Sequence, residues 1–152
     1  MEFGLVFVVF FLLFYGILTY SLVAAAQNSV ALAAQDGARK ILQWQGGAAS
    51  LAARAGAGRD TALQRAEWIS TLSASPVRVA VCGSAGALSS SGGGACSGLP
   101  LADGQIEVTV SYPYGAHPLI PTVPLLRTAL MPASGVLSAR ATVHLDQLDG
   151  EG

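Results

Sequence analysis

The chain has 152 residues and a formal net charge of −1, with 11% charged and 52% hydrophobic side chains. So sparse and balanced a charge offers no basic surface for nucleic acid. A leading helix of about forty-five residues leaves roughly a hundred for one soluble domain with a small core.

From Phe3 to Ala26 there is no charged side chain, and after Glu2 the next acidic or basic residue is Asp36. At about 1.5 Å per residue a helix over this run spans roughly 36 Å, against a bilayer core of about 30 Å. The pattern predicts a membrane helix that continues beyond the apolar run. Val30, Ala34, Gly37, Ile41 and Trp44 form one helical stripe, with Gln27, Asn28, Gln35, Asp36, Arg39 and Lys40 mostly off it. One helix over 1–45 is expected, apolar all round in its first half and amphipathic in its second, stopping at Gly46-Gly47. Glu2 at its start fits the interfacial layer, where the helix dipole favours a carboxylate.

These residues also carry a resemblance. Glu2-Phe3 opening a long apolar helix, followed by Ala33-Ala34-Gln35-Asp36-Gly37-Ala38-Arg39, resembles the TadE-type pilin-like proteins of tight-adherence (Flp, type IVc) pilus systems. The resemblance implies a minor pilin or pseudopilin that waits in the inner membrane and assembles through its N-terminal helix. It gives assembly roles to Glu2, Phe3, Gly37, Ala38 and Arg39, with Glu2 pairing with a neighbouring subunit's N-terminal amine. The implied partners are the membrane, other pilin subunits and the inner-membrane assembly platform. A prepilin peptidase joins them if a leader precedes Met1. Family members carry a short basic leader ending in glycine, whereas only Met1 precedes Glu2 here. All eight Lys and Arg follow the apolar run, so nothing basic holds the N-terminus inside as the positive-inside bias requires. A basic leader, trimmed away or encoded upstream of Met1, would supply that, and otherwise the chain is never processed.

Past the anchor, 46–58 (GGAASLAARAGAG) reads as a partly helical linker and 59–152 as the soluble domain. Arg59–Ser73 is predicted as a second helix, capped by Asp60 or Thr61, with Leu63, Ala66, Trp68 or Ile69, and Leu72 on its apolar face. Three alternating stretches, 77–82, 105–112 and 136–146, predict strands with one buried and one wet face. The expected fold class is α+β, with both helices available to cover a small three-stranded antiparallel sheet in a pilin-like arrangement. Between the last two strands, Tyr112-Pro113-Tyr114 and the prolines at 118, 121 and 124 predict an irregular loop before a short helical turn (LLRTALM). The Y-P-Y after V-T-V is similar to the C-terminal part of TadE-type proteins.

Cys82 and Cys96 flank GSAGALSSSGGGA, which reads as a low-complexity loop. A disulfide between them is expected, worth roughly 3 kcal/mol by the chain-entropy estimate and at home in an oxidising compartment. There is no C-x-x-C, nucleophile elbow, Walker loop or dinucleotide fingerprint. His117 and His144 read as solvated, and Glu107 as a cross-strand partner of Arg140 or Arg78. A non-enzyme with no cofactor or metal is expected. Its domain would be periplasmic, reaching the exterior if the subunit enters a pilus. The competing expectation is a single-pass membrane protein whose outer domain binds a partner or ligand, with Glu2 merely interfacial.

Overall fold

The computed structural model describes residues 2–43, 50–121 and 134–145. Trp44, the expected stop at Gly46-Gly47 and the LLRTALM turn lie outside them. Six elements follow in chain order: α1 (Glu2–Leu42), α2 (Leu51–Ser73), β1 (Arg78–Gly83), β2 (Gly86–Ser91), β3 (Gln105–Tyr112) and β4 (Leu137–His144). The fold is α+β, a long helix and a second helix laid on one face of an antiparallel sheet.

The expected stripe of α1 is real. Val30, Ala34, Gly37 and Ile41 are all buried, joined by Ala26, Ala33 and Ala38. α2 begins eight residues before the expected start. Ser50 caps it, its Oγ accepting from the Ala53 N–H at 3.3 Å, and Ala74 closes it in the left-handed conformation. The stretch 51–58, read as linker, is helix because Ala55 and Gly58 extend the buried stripe of Ala62, Ala66 and Ile69 upstream. Packing against α1 outweighs the glycine penalty there, about 1 kcal/mol for each of Gly56 and Gly58. Leu72, expected on the apolar face, points outward and is 62% exposed.

The sheet has four strands rather than three, in the order β2-β1-β3-β4, every neighbouring pair antiparallel. The additional strand is β2, inside the stretch read as a flexible loop. Ser84-Ala85 turns the chain into a hairpin closed by the Gly83–Gly86 pair, and the register shifts between Val81 and Cys82. β2 is serine-rich and at the edge, so it shows little apolar alternation. Val79, Val81, Ile106, Val108 and Val110 face the helices and form the core with α1 and α2.

The opposite face was expected to be wet, and part of it is not. β2 and β3 run parallel with β1 between them, so the chain must cross over to join them. It does so along the outer side of β1, as residues 92–104. Gly94 sits so tightly on the Val79 carbonyl that no Cβ would fit, and Ala80 beneath is fully buried.

Candidate functional site

Two regions carry chemistry: the first helix, and the crossover loop over the sheet. α1 divides where the domain begins to cover it. Phe3 is 85% and Phe14 50% exposed, whereas Thr19 is 4% exposed and Ala26 fully buried. On the free half, Phe10 stacks on Phe14 with centroids 6.1 Å apart, and Phe7 lies 4.9 Å from Phe11. These are i,i+4 neighbours that meet without help from the rest of the chain.

The residues implicated by resemblance are scattered along this helix. Glu2 begins α1, its side chain lying outside the described set; Phe3 is exposed at the free end. Gly37 and Ala38 are buried inside the chain, and Arg39 is exposed one position on. A Cβ on Gly37 would lie 2.9 Å from the Gly58 carbonyl oxygen, and one on Gly58 would lie 2.5 Å from Ile41 Cγ1. The two glycines therefore set the crossing of α1 over α2, and their smallness is used within the chain.

Polar contacts lock the same crossing. Arg54 Nε donates to the Ile41 carbonyl at 3.1 Å, satisfying an orphan acceptor in the last turn of α1. Trp68 Nε1 donates to Ser29 Oγ at 3.0 Å, and Arg65 pairs with Asp36 at 2.8 Å. The Arg65–Asp36 pair is largely solvated and contributes little. Tyr15 donates its hydroxyl to the Pro121 carbonyl, fastening the loop after β3 to the helix. Sequence patterning gave no sign of these partners, which join residues 13 to 106 positions apart. Only Gly58 left a trace, as a glycine inside a helix-favouring run.

On the other face of the sheet, Cys82 and Cys96 form a disulfide, pinning the crossover loop to β1. Next to Cys82 across the β1–β3 ladder is Glu107, only 2% exposed. Its carboxylate accepts from the Ser97 N–H at 3.2 Å, Ser97 Oγ at 2.8 Å and Thr109 Oγ1 at 3.0 Å. The expected partner Arg140 is present but distant, Nη1 lying 3.9 Å away, and it is half exposed. Burial pushes the Glu107 carboxyl up, but the donors from Ser97 and Thr109, with Arg140 behind them, outweigh it and hold it below its ordinary value. Every oxygen has a partner. The carboxylate thus ties the crossover loop down, a structural role beyond the expected cross-strand pairing.

Beyond β3, Tyr112 and Tyr114 meet edge to face with centroids 6.4 Å apart, and Tyr112 donates to the His117 carbonyl at 2.5 Å. The Gly115 N–H bonds the Gly135 carbonyl at 2.6 Å. Among the described residues, no three His, Cys, Asp or Glu side chains gather in a metal-binding group.

Residues 1–39 match the family of TadE-like proteins. Apart from Met1, the match falls within α1 and stops short of its end, so α2, the sheet and the disulfide lie outside it. No curated protein and no solved structure matches the chain.

Proposed function

We propose that this chain is a minor pilin or pseudopilin of a Tad-type pilus system, a structural subunit rather than an enzyme. The apolar half of α1 anchors it in the bacterial inner membrane, and the α+β domain stands on the periplasmic side. The observation that carries this reading is an uncovered apolar helix within the very segment that matches TadE-like proteins. Thirteen large apolar side chains between Phe3 and Leu18 are exposed. At about 1.5 kcal/mol or more each, leaving them in water costs on the order of 20 kcal/mol, above the 5–15 kcal/mol that typically holds a domain together. A bilayer, or a bundle of neighbouring N-terminal helices, removes that cost.

The disulfide supports an oxidising compartment for the domain. The partners are other pilin subunits and the inner-membrane assembly platform. Because Gly37 and Ala38 are occupied inside the chain, contacts between subunits fall to the exposed residues Phe3–Phe14, Ile17 and Leu18 and to Leu32, Arg39 and Leu42 on the outward face of α1. Glu2, at the entrance to the apolar run, acts as the register signal: a carboxylate there is costly in lipid unless a neighbouring amine pairs with it.

The test is a chromosomal Glu2→Ala replacement. The variant is expected to fold, form its disulfide and fractionate with the membrane, while pili are lost. Normal piliation would overturn the assembly role and favour a membrane-anchored binding domain.

A further inference from the structure

The depth at which the domain grips α1 has a consequence for the membrane. The free part of the helix is short: Phe3 to Phe14 measures about 18 Å, and Phe3 to Leu18 about 24 Å. A bilayer core of about 30 Å needs roughly twenty helical residues, which counted from Phe3 ends near Leu22. The domain begins before that. Thr19 is already buried, and the loop after β3 reaches down to Tyr15, which donates its hydroxyl to Pro121. With Phe3 at one boundary of the core, Tyr15 lies roughly 10 Å inside the other. Raising the helix until Tyr15 clears the core would leave it roughly 12 Å short. At fractions of a kcal/mol per Å of mismatch, that amounts to several kcal/mol.

The loop is chemically suited to stay at that depth. His117-Pro118-Leu119-Ile120-Pro121 carries no carboxylate, lysine or arginine, and Pro118, Leu119 and Ile120 are half-exposed. Proline brings no N–H, so two of the five backbone donors that lipid would leave unsatisfied do not exist. The His117 carbonyl is satisfied by Tyr112 and the Pro121 carbonyl by Tyr15. Tyr15, half-buried, and Tyr20, 64% exposed, lie on this stretch of the helix. Amphipathic rings gather in that way at the headgroup level.

We propose that His117–Pro121 is a second membrane-contact site, seated in the interfacial layer of the leaflet that the domain faces. The domain is then pressed onto the bilayer by helix and loop together rather than held off it on a stalk. This rests on the reading of α1 as a membrane anchor.

The experiment is site-specific photocrosslinking of the full chain, disulfide intact, in phosphatidylethanolamine/phosphatidylglycerol vesicles. Benzoylphenylalanine replaces Leu119 or Ile120 in turn, Phe10 as the mark of helix insertion, and Leu99, half-exposed on the crossover loop, as the mark of background. Mass spectrometry reads the fraction of chain bearing a phospholipid adduct, and disulfide formation checks each variant's fold. Adducts are expected at position 10 and at 119 or 120, several-fold above position 99. Adducts at position 10 with 119 and 120 no higher than 99 would overturn the loop contact and leave the anchor standing. No adduct at position 10 would overturn both. Equal adducts at 99 and 119 would overturn the contact as well, since the domain would then have no membrane-facing side.

Discussion

Glu107 and Gly37 show how much a single position decides. Glu107 is a buried carboxylate whose charge is held by hydrogen-bond donors, so its proton is bound less tightly in the folded chain than in the unfolded one. The sign follows from linkage: the stabilisation is complete above the ordinary value of 4.5 and is lost as pH falls through the lowered folded value. Glu107→Gln is expected to cost about 1–3 kcal/mol at neutral pH, because the amide brings an NH2 among donors. Melting temperatures taken as a function of pH should fall on the acid side in the parent and less steeply in the variant. Gly37 argues from space. Gly37→Ala gains about 1 kcal/mol of helix propensity, but its Cβ meets a backbone carbonyl that cannot turn aside, and overpacking costs about 1–3 kcal/mol. Net destabilisation of about 1 kcal/mol is expected in urea titrations of the full chain in detergent, followed by tryptophan emission in a Trp44→Phe background, where Trp68 alone reports the α1–α2 contact.

At the scale of elements, the crossover loop is secured twice, by the disulfide and by Glu107. Cys82→Ser is expected to lower stability by roughly 3 kcal/mol on the chain-entropy estimate while the helix pair stays docked. Thermal unfolding with the tryptophan signal recorded in parallel checks both halves of that statement. The loop also marks the boundary of what patterning could reveal. α1, β1, β3 and β4 were legible because each has a strong period and one apolar face. β2 was not, since a polar edge strand has no apolar face to alternate, although a two-residue turn flanked by glycines hinted at a hairpin. The early start of α2 was hidden because Gly56 and Gly58 look like linker until α1 is set against them. The burial of Glu107 was hidden because alternation gives the face a side chain points to, not whether a loop returns to cover it. The cysteine pair was legible as a pair; the surface it protects was not.

At the scale of the molecule, the chain has two unlike ends. One is a bare apolar rod, and the other is a small domain whose core is closed by that rod's lower half. The residues that resemblance singled out divide between them: Glu2 and Phe3 at the free end, Gly37 and Ala38 within the core, Arg39 on its surface. The small-residue pattern is thus an internal packing requirement, which leaves the free half and the outward face of α1 to meet other molecules.

The packing of α1 on β4 also imposes an order in time. The first and last described elements touch, so the core closes only after nearly the whole chain has been made. Contacts this distant in sequence are slow to form because the intervening loop must be closed first. If the apolar half enters the bilayer at the start of synthesis, the lower half of α1 waits at its surface with Ala33, Ala34 and Gly37 uncovered. Closure of the core buries that stripe, so its accessibility distinguishes a completed chain from a nascent one.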